Sequence, residues 1–201
     1  MIFLLLACTP QIPTSCTDTP FMEFQWAPET CQRELQQLVG IKSEVLPQVA
    51  TSLWALATAE LPQPRPGPYH HPELVAYLDS LDPDINQALF ELVVENVKRV
   101  GKSNRGHPWE AREVVFWHNP MNRKAIPWTL AHEAFHAAGA PNHSVKCGPS
   151  LCDPDQTGAY GMSILVADLF SHKERSSFAS MADAHRGQAL KFIHPPPTPT
   201  P

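Results

Sequence analysis

At 201 residues, with 43% hydrophobic and 17% charged content, the chain has the length and composition of one globular domain with a core of its own. Its 15 basic and 20 acidic residues leave a net charge of −5 without a basic block, which argues against nucleic acid or an anionic membrane surface as a partner. After the first residues no run approaches the apolar length of a transmembrane helix, and no internal repeat is present.

Residues 1–8 read Met1-Ile2-Phe3-Leu4-Leu5-Leu6-Ala7-Cys8, an apolar run with a small residue directly before a cysteine. The stretch L-L-A-C resembles a bacterial lipobox. The resemblance implies cleavage before Cys8, a lipid on that cysteine, and export to the bacterial cell envelope, lipid-anchored or secreted, with no other hold on a membrane. A start site upstream of Met1 would supply the basic segment and longer apolar run of a full signal. Residues 9–27 are rich in Thr and Pro and are expected to form a tether, with a single domain over 28–194 and a disordered proline-rich tail over 195–201.

With Cys8 set aside, Cys16, Cys31, Cys147 and Cys152 form two local groups. Pairing by proximity joins Cys16 to Cys31 and Cys147 to Cys152, one of three possible connectivities. Disulfides agree with export. The absence of C-x-x-C speaks against four thiolates on a metal.

Helices open the domain. Residues 28–39 place Cys31, Leu35, Leu38 and Val39 on one side and stop at Gly40; residues 43–60 carry Leu46, Val49, Leu53, Trp54 and Ala57 on one face, with Ser43 as cap. The segment 61–68, L-P-Q-P-R-P-G-P, is an exposed connector, since proline breaks both helix and central strand. A short helix follows over 72–81. Asp82-Pro83 then reads as cap and first-turn proline of a helix whose apolar positions, Ile85 through Val97 and Val100, run to Gly101. After a polar loop, Val114-Val115-Phe116-Trp117 is the clearest strand, ended by Asn119-Pro120. Beyond 126–144 come a turn-rich loop over 147–161, a buried helix opening at Met162, and a last helix near 176–192.

Within 126–144 the run His132-Glu133-Ala134-Phe135-His136 matches H-E-x-x-H. On a helix, residues four apart share a face, so both imidazoles can meet one metal ion. Glu133 lies about 100° around the axis from His132, beside the ion, where a carboxylate can take a proton from an attacking water. The helix is predicted without reference to metal: Pro127 suits a first helical position, Ala131, Ala134, Phe135 and Ala138 make an apolar stripe, and Gly139 with Pro141 makes a stop.

A catalytic zinc takes three protein ligands, and the third decides the family. The pattern from His132 to His143 resembles the metzincin signature H-E-x-x-H-x-x-G-x-x-H with one extra residue: Gly139 is in place, Asn142 takes the sixth position after His136, and His143 the seventh. This resemblance implies His143 as third ligand. Residues 153–161 are loosely similar to the aspzincin (deuterolysin-like) loop, which would make the ligand Asp153 or Asp155. A thermolysin-like arrangement would draw it from the following helix, as Asp168 or Glu174. Tyr160 is a candidate oxyanion donor, as a phenol is in many zinc peptidases. Met162 resembles a Met-turn residue but fits an ordinary core position.

The zincin resemblance implies a helix-dominated α+β fold, with a small sheet edge strand before the motif helix, where Trp117 and His118 would line the cleft, and a long helix behind it, a place the helix over 82–101 would take. It implies one zinc on His132, His136 and His143, with Glu133 and Tyr160 as catalytic groups. The expected activity is that of a monomeric zinc metallopeptidase acting on peptide or protein substrates. The competing reading is an exported lipoprotein that keeps the scaffold as a non-catalytic binding module.

Overall fold

The computed structural model describes residues 9–23, 25–102, 109–110, 114–117, 126–147, 150–172 and 177–193. Helices α1 (Thr14–Thr17), α2 (Glu29–Val39), α3 (Leu46–Thr58), α4 (Pro72–Leu81) and α5 (Ile85–Asn96) lead into strands β1 (Arg99–Lys102), β2 (Trp109–Glu110) and β3 (Val114–Trp117). The motif helix α6 (Pro127–Ala137) is followed by a hairpin of β4 (Val145–Cys147) and β5 (Ser150–Cys152), then by α7 (Ala159–Ser171), α8 (Ser177–Ala189) and a 3₁₀ turn, Leu190–Phe192. The class is α+β and helix-dominated, as expected. Cys8, His118, Glu174 and the tail over 195–201 lie outside the described residues, as does the side chain of Trp117.

Helix α7 is apolar around its circumference and, apart from Tyr160, is buried from Ala159 to Phe170, the pattern of a helix with neighbours on every side. It covers α6 more broadly than α5 or α3 does, so the backing expected of α5 falls chiefly to α7. Trp128, Leu130, Ala131 and Ala134 of α6 are buried among these neighbours. Trp128, Phe170 and Phe178 pack at ring-centre distances of 5.4 to 6.4 Å, edge-on or tilted as aromatic quadrupoles prefer. A buried hydroxyl sets where α6 begins: Ser52 Oγ of α3 accepts from Ile126 N at 3.0 Å and donates to Gln48 O at 2.8 Å.

Five expectations change. Residues 9–27 are no tether over their described length: Phe21 and Cys16 are buried, the Trp54 indole donates to Cys16 O and Thr19 O, and Gln87 Nε2 donates to Pro10 O at 2.7 Å. The disulfide Cys16–Cys31, with Cα atoms 4.8 Å apart, fastens the segment to α2. Helix α3 starts at Leu46 without a side-chain cap from Ser43, and α5 is capped by Asp84, whose Oδ1 accepts from Asn86 N and Gln87 N, while Asp82 only braces Asp84 N.

Helix α5 also ends at Asn96 instead of continuing to Gly101. The spacing of Val97 and Val100 suits either period, and β-branched residues favour the strand that forms. Both are buried, Val100 beside Ile41 through a parallel bridge. Finally, β3 is the central strand of the order β1-β3-β2, parallel to β1 and antiparallel to β2, so the strand before the motif helix is not an edge.

Because the Cys16–Cys31 loop spans 15 residues in sequence, closing it should stabilise the fold by about 3 kcal/mol. The double variant Cys16→Ala, Cys31→Ala should show that loss in guanidinium denaturation, with the circular-dichroism signal of the folded form retained at zero denaturant.

Candidate metal centre

Pro127 occupies the first turn of α6, as its fixed φ allows, and the helix carries His132 and His136 on one face. Its end is a Schellman turn. Gly139 N donates to His136 O at 2.9 Å, Ala140 N donates to Phe135 O at 3.0 Å, and Gly139 has φ +102°, a conformation that a residue with a Cβ rarely adopts. The chain then doubles back without regular structure through 140–143 and delivers His143 to the two motif histidines.

The three residues His132, His136 and His143 each offer a ligand atom, all within 4.8 Å of one another, and could hold a metal ion. His136 Nε2 and His143 Nε2 are 3.2 Å apart. Two nitrogens bound tetrahedrally to one zinc at the usual bond length stand about 3.3 Å apart, so this pair fits. The donor set fits as well. Burial, and then the proximity of His136, His143 and His185, hold the His132 imidazole well below its ordinary 6.5, leaving it neutral at pH 7; a hydrogen bond to the backbone of Ala159 works the other way. His143 Nδ1 lies 2.6 Å from Asp153 Oδ1, so its proton belongs on that side and Nε2 keeps a lone pair.

Glu133, one residue after the first histidine, is buried. Its charge reaches Tyr160, whose phenol is pushed up to about 12 by burial, Asp153 and Glu133 and so keeps its proton at neutral pH. The Tyr160 ring is stacked between His143, 4.5 Å away, and Phe192, 4.8 Å away, with its edge toward His132. The structure thus brings Glu133 and Tyr160 to the histidine cluster.

The other candidates fall elsewhere. Asp153 is fully buried with both oxygens engaged, Oδ1 by His143 and Oδ2 by Tyr160 N at 2.7 Å, so it sits behind a histidine instead of joining the cluster. Asp155 is exposed and accepts from Thr157 N and Oγ1, organising the turn before α7. Asp168 is two helical turns beyond Tyr160, paired with His70 Nε2 at 3.1 Å and with Arg186, and His172 binds only its backbone carbonyl. Met162 is core within α7, not part of a turn.

The sequence offered no signal for the approach of His185 to His132, or for Phe192 as the second face of Tyr160; both come from elements distant in sequence. The Cys147–Cys152 pair, with Cα atoms 6.0 Å apart, closes the β4–β5 hairpin between His143 and Asp153. Two disulfides suit a non-reducing environment. The chain matches no protein-family model, no curated protein and no solved structure.

Zinc titration monitored by a competing chromophoric chelator should saturate at one equivalent. His136→Ala and His143→Ala should each abolish tight binding, and Asp155→Ala should leave it unchanged. Away from the histidine cluster, burial raises the Asp168 carboxyl, but hydrogen bonding from His70 and the charges of Arg186 and His70 outweigh it, and the net shift is below 3.8. A depressed folded-state value stabilises above the unfolded one and is lost as pH falls through it. Acid titration of Asp168→Asn should therefore show lower stability than wild type at pH 6 and a shallower loss below pH 4.

Proposed function

We propose that this chain is a zinc-dependent hydrolase that cleaves peptide bonds, a zincin-type metallopeptidase with a turn one residue longer than the metzincin pattern. One observation carries the reading: three imidazoles converge within ligand distance of one another, and Glu133, the residue after His132, is buried and near enough for its charge to act on Tyr160, which supports it as the base that hydrolysis needs. Imidazole donors suit zinc, and three of them leave a fourth position open.

His132, His136 and His143 would hold the ion. Zinc in such a site supplies Lewis-acid polarisation of the scissile carbonyl and acidifies the attacking water. Glu133 accepts that water's proton and transfers it to the amine as the amide C–N bond breaks, serving as base and then as acid. Tyr160, protonated across the physiological range, donates its O–H to the carbonyl oxygen as charge develops there. The lipobox-like start and the disulfides support an exported protein held at the cell envelope through Cys8, acting there on peptides or proteins.

Zinc-loaded protein should degrade an unstructured substrate such as casein, and stripping with a chelator should stop it. Glu133→Gln should lower kcat by about 10²- to 10⁴-fold while zinc stoichiometry stays at one. Equal activity in that variant would rule out the mechanism, and a folded protein that binds no zinc would favour the binding module.

A further inference from the structure

Among the described residues, Asp153 is the acidic third-ligand candidate that lies against the histidine cluster, and it lies behind His143. The two ring nitrogens of His143 have separate partners: Nε2 faces His136 Nε2 at 3.2 Å, and Nδ1 faces Asp153 Oδ1 at 2.6 Å. A carboxylate accepts only, so this contact places the imidazole proton on Nδ1 and directs the remaining lone pair at the other histidines. The second oxygen, Oδ2, is held by Tyr160 N at 2.7 Å, the first turn of α7, which has no side-chain cap of its own from Gly158.

The carboxylate is fixed from every side. Asp153 is fully buried, its backbone N–H donates to Phe192 O at 2.9 Å, and it bridges Ile193 in parallel. The hairpin closed by Cys147 and Cys152 brings position 153 back to position 143, with Ser144 N donating to Cys152 O at 3.1 Å. Gly158 lies directly against the carboxylate, so that a Cβ there would fall among its atoms.

We propose that Asp153 is a positioning residue of the metal centre: it holds His143 as the Nδ1–H tautomer with its ring in one plane, and thereby sets the affinity of the three-histidine site for zinc. The inference rests on the metal-binding half of the reading above and does not require hydrolysis. A carboxylate behind a ligating histidine fixes ring orientation and raises its basicity, and loss of such a partner typically costs about 10- to 100-fold in metal affinity.

The decisive variant is Asp153→Asn. It is nearly isosteric, and its amide oxygen still accepts from Tyr160 N. Its amide N–H₂, however, presents a donor to His143 Nδ1, which favours the Nε2–H tautomer and blocks the lone pair that zinc requires. Zinc affinity, measured by chelator competition, should fall about 10- to 100-fold. The d–d absorption of cobalt(II)-substituted protein should change with it. In a His143→Ala background, Asp153→Asn should make no further difference.

Unchanged affinity in folded Asp153→Asn, or an equal loss in the His143→Ala background, overturns the proposal. If Asp153→Asn does not fold, the wild-type protein decides. Long-range ¹H–¹⁵N correlation of its histidine rings, without zinc, should show His143 as Nδ1–H, and an Nε2–H ring overturns the proposal. These readouts separate it from the hydrolase reading: zinc-binding protein that cleaves no peptide removes the activity and leaves the role of Asp153 standing.

Discussion

The arrangement depends on keeping three basic rings together with their lone pairs free. Imidazoles within 4.8 Å of one another repel as soon as more than one is protonated, and a partly buried setting magnifies that repulsion. Burial and the neighbouring histidines hold His132 below its ordinary value, against a hydrogen bond to the Ala159 backbone that acts the other way, and the Asp153 carboxylate engages His143 at Nδ1, leaving Nε2 toward His136. Three imidazole donors gathered this closely suit a divalent cation among them.

Rigidity for this comes from packing. Helix α6 cannot rotate, because Trp128, Leu130, Ala131 and Ala134 are sealed against its neighbours and Ser52 fixes the start of the helix. Helix α7 serves both halves of the molecule. Its buried length lies in the core, and its first turn presents Tyr160 to the histidines and donates a hydrogen bond from Tyr160 N to Asp153 Oδ2. The N-terminal segment closes the opposite side, where Phe21 packs on Trp54 and reaches the same aromatic group as Trp128 through Phe178.

Much of this was legible in the residues. The four-residue spacing of His132 and His136, the proline start and the glycine stop define α6 by local rules, and local rules survive folding. The helix–strand boundary at Val97 was not legible, because Val97 and Val100 satisfy either period and only the bridge to Ile41 selects the strand. The N-terminal segment misled for a related reason. Its Thr and Pro content fits a linker, while its docking depends on a few contacts, such as Trp54 with Cys16 and Thr19, that lie far apart in sequence. Asp153 was visible as a participant but not in its role, since sequence cannot tell a carboxylate on a metal from one on the far nitrogen of a histidine.

The Schellman turn at Gly139 bears on how such centres diversify. A helix that ends in a left-handed glycine hands the chain to a segment with no periodicity to keep, so the number of residues before the next ligand is limited by reach alone. Three residues, Ala140, Pro141 and Asn142, span the gap here where the metzincin pattern uses two. Residue count along the chain is then free to vary, whereas the distance across the turn is a chemical requirement. Proteins that share this centre by ancestry or by convergence are best grouped by where their third imidazole arrives and what stands behind it.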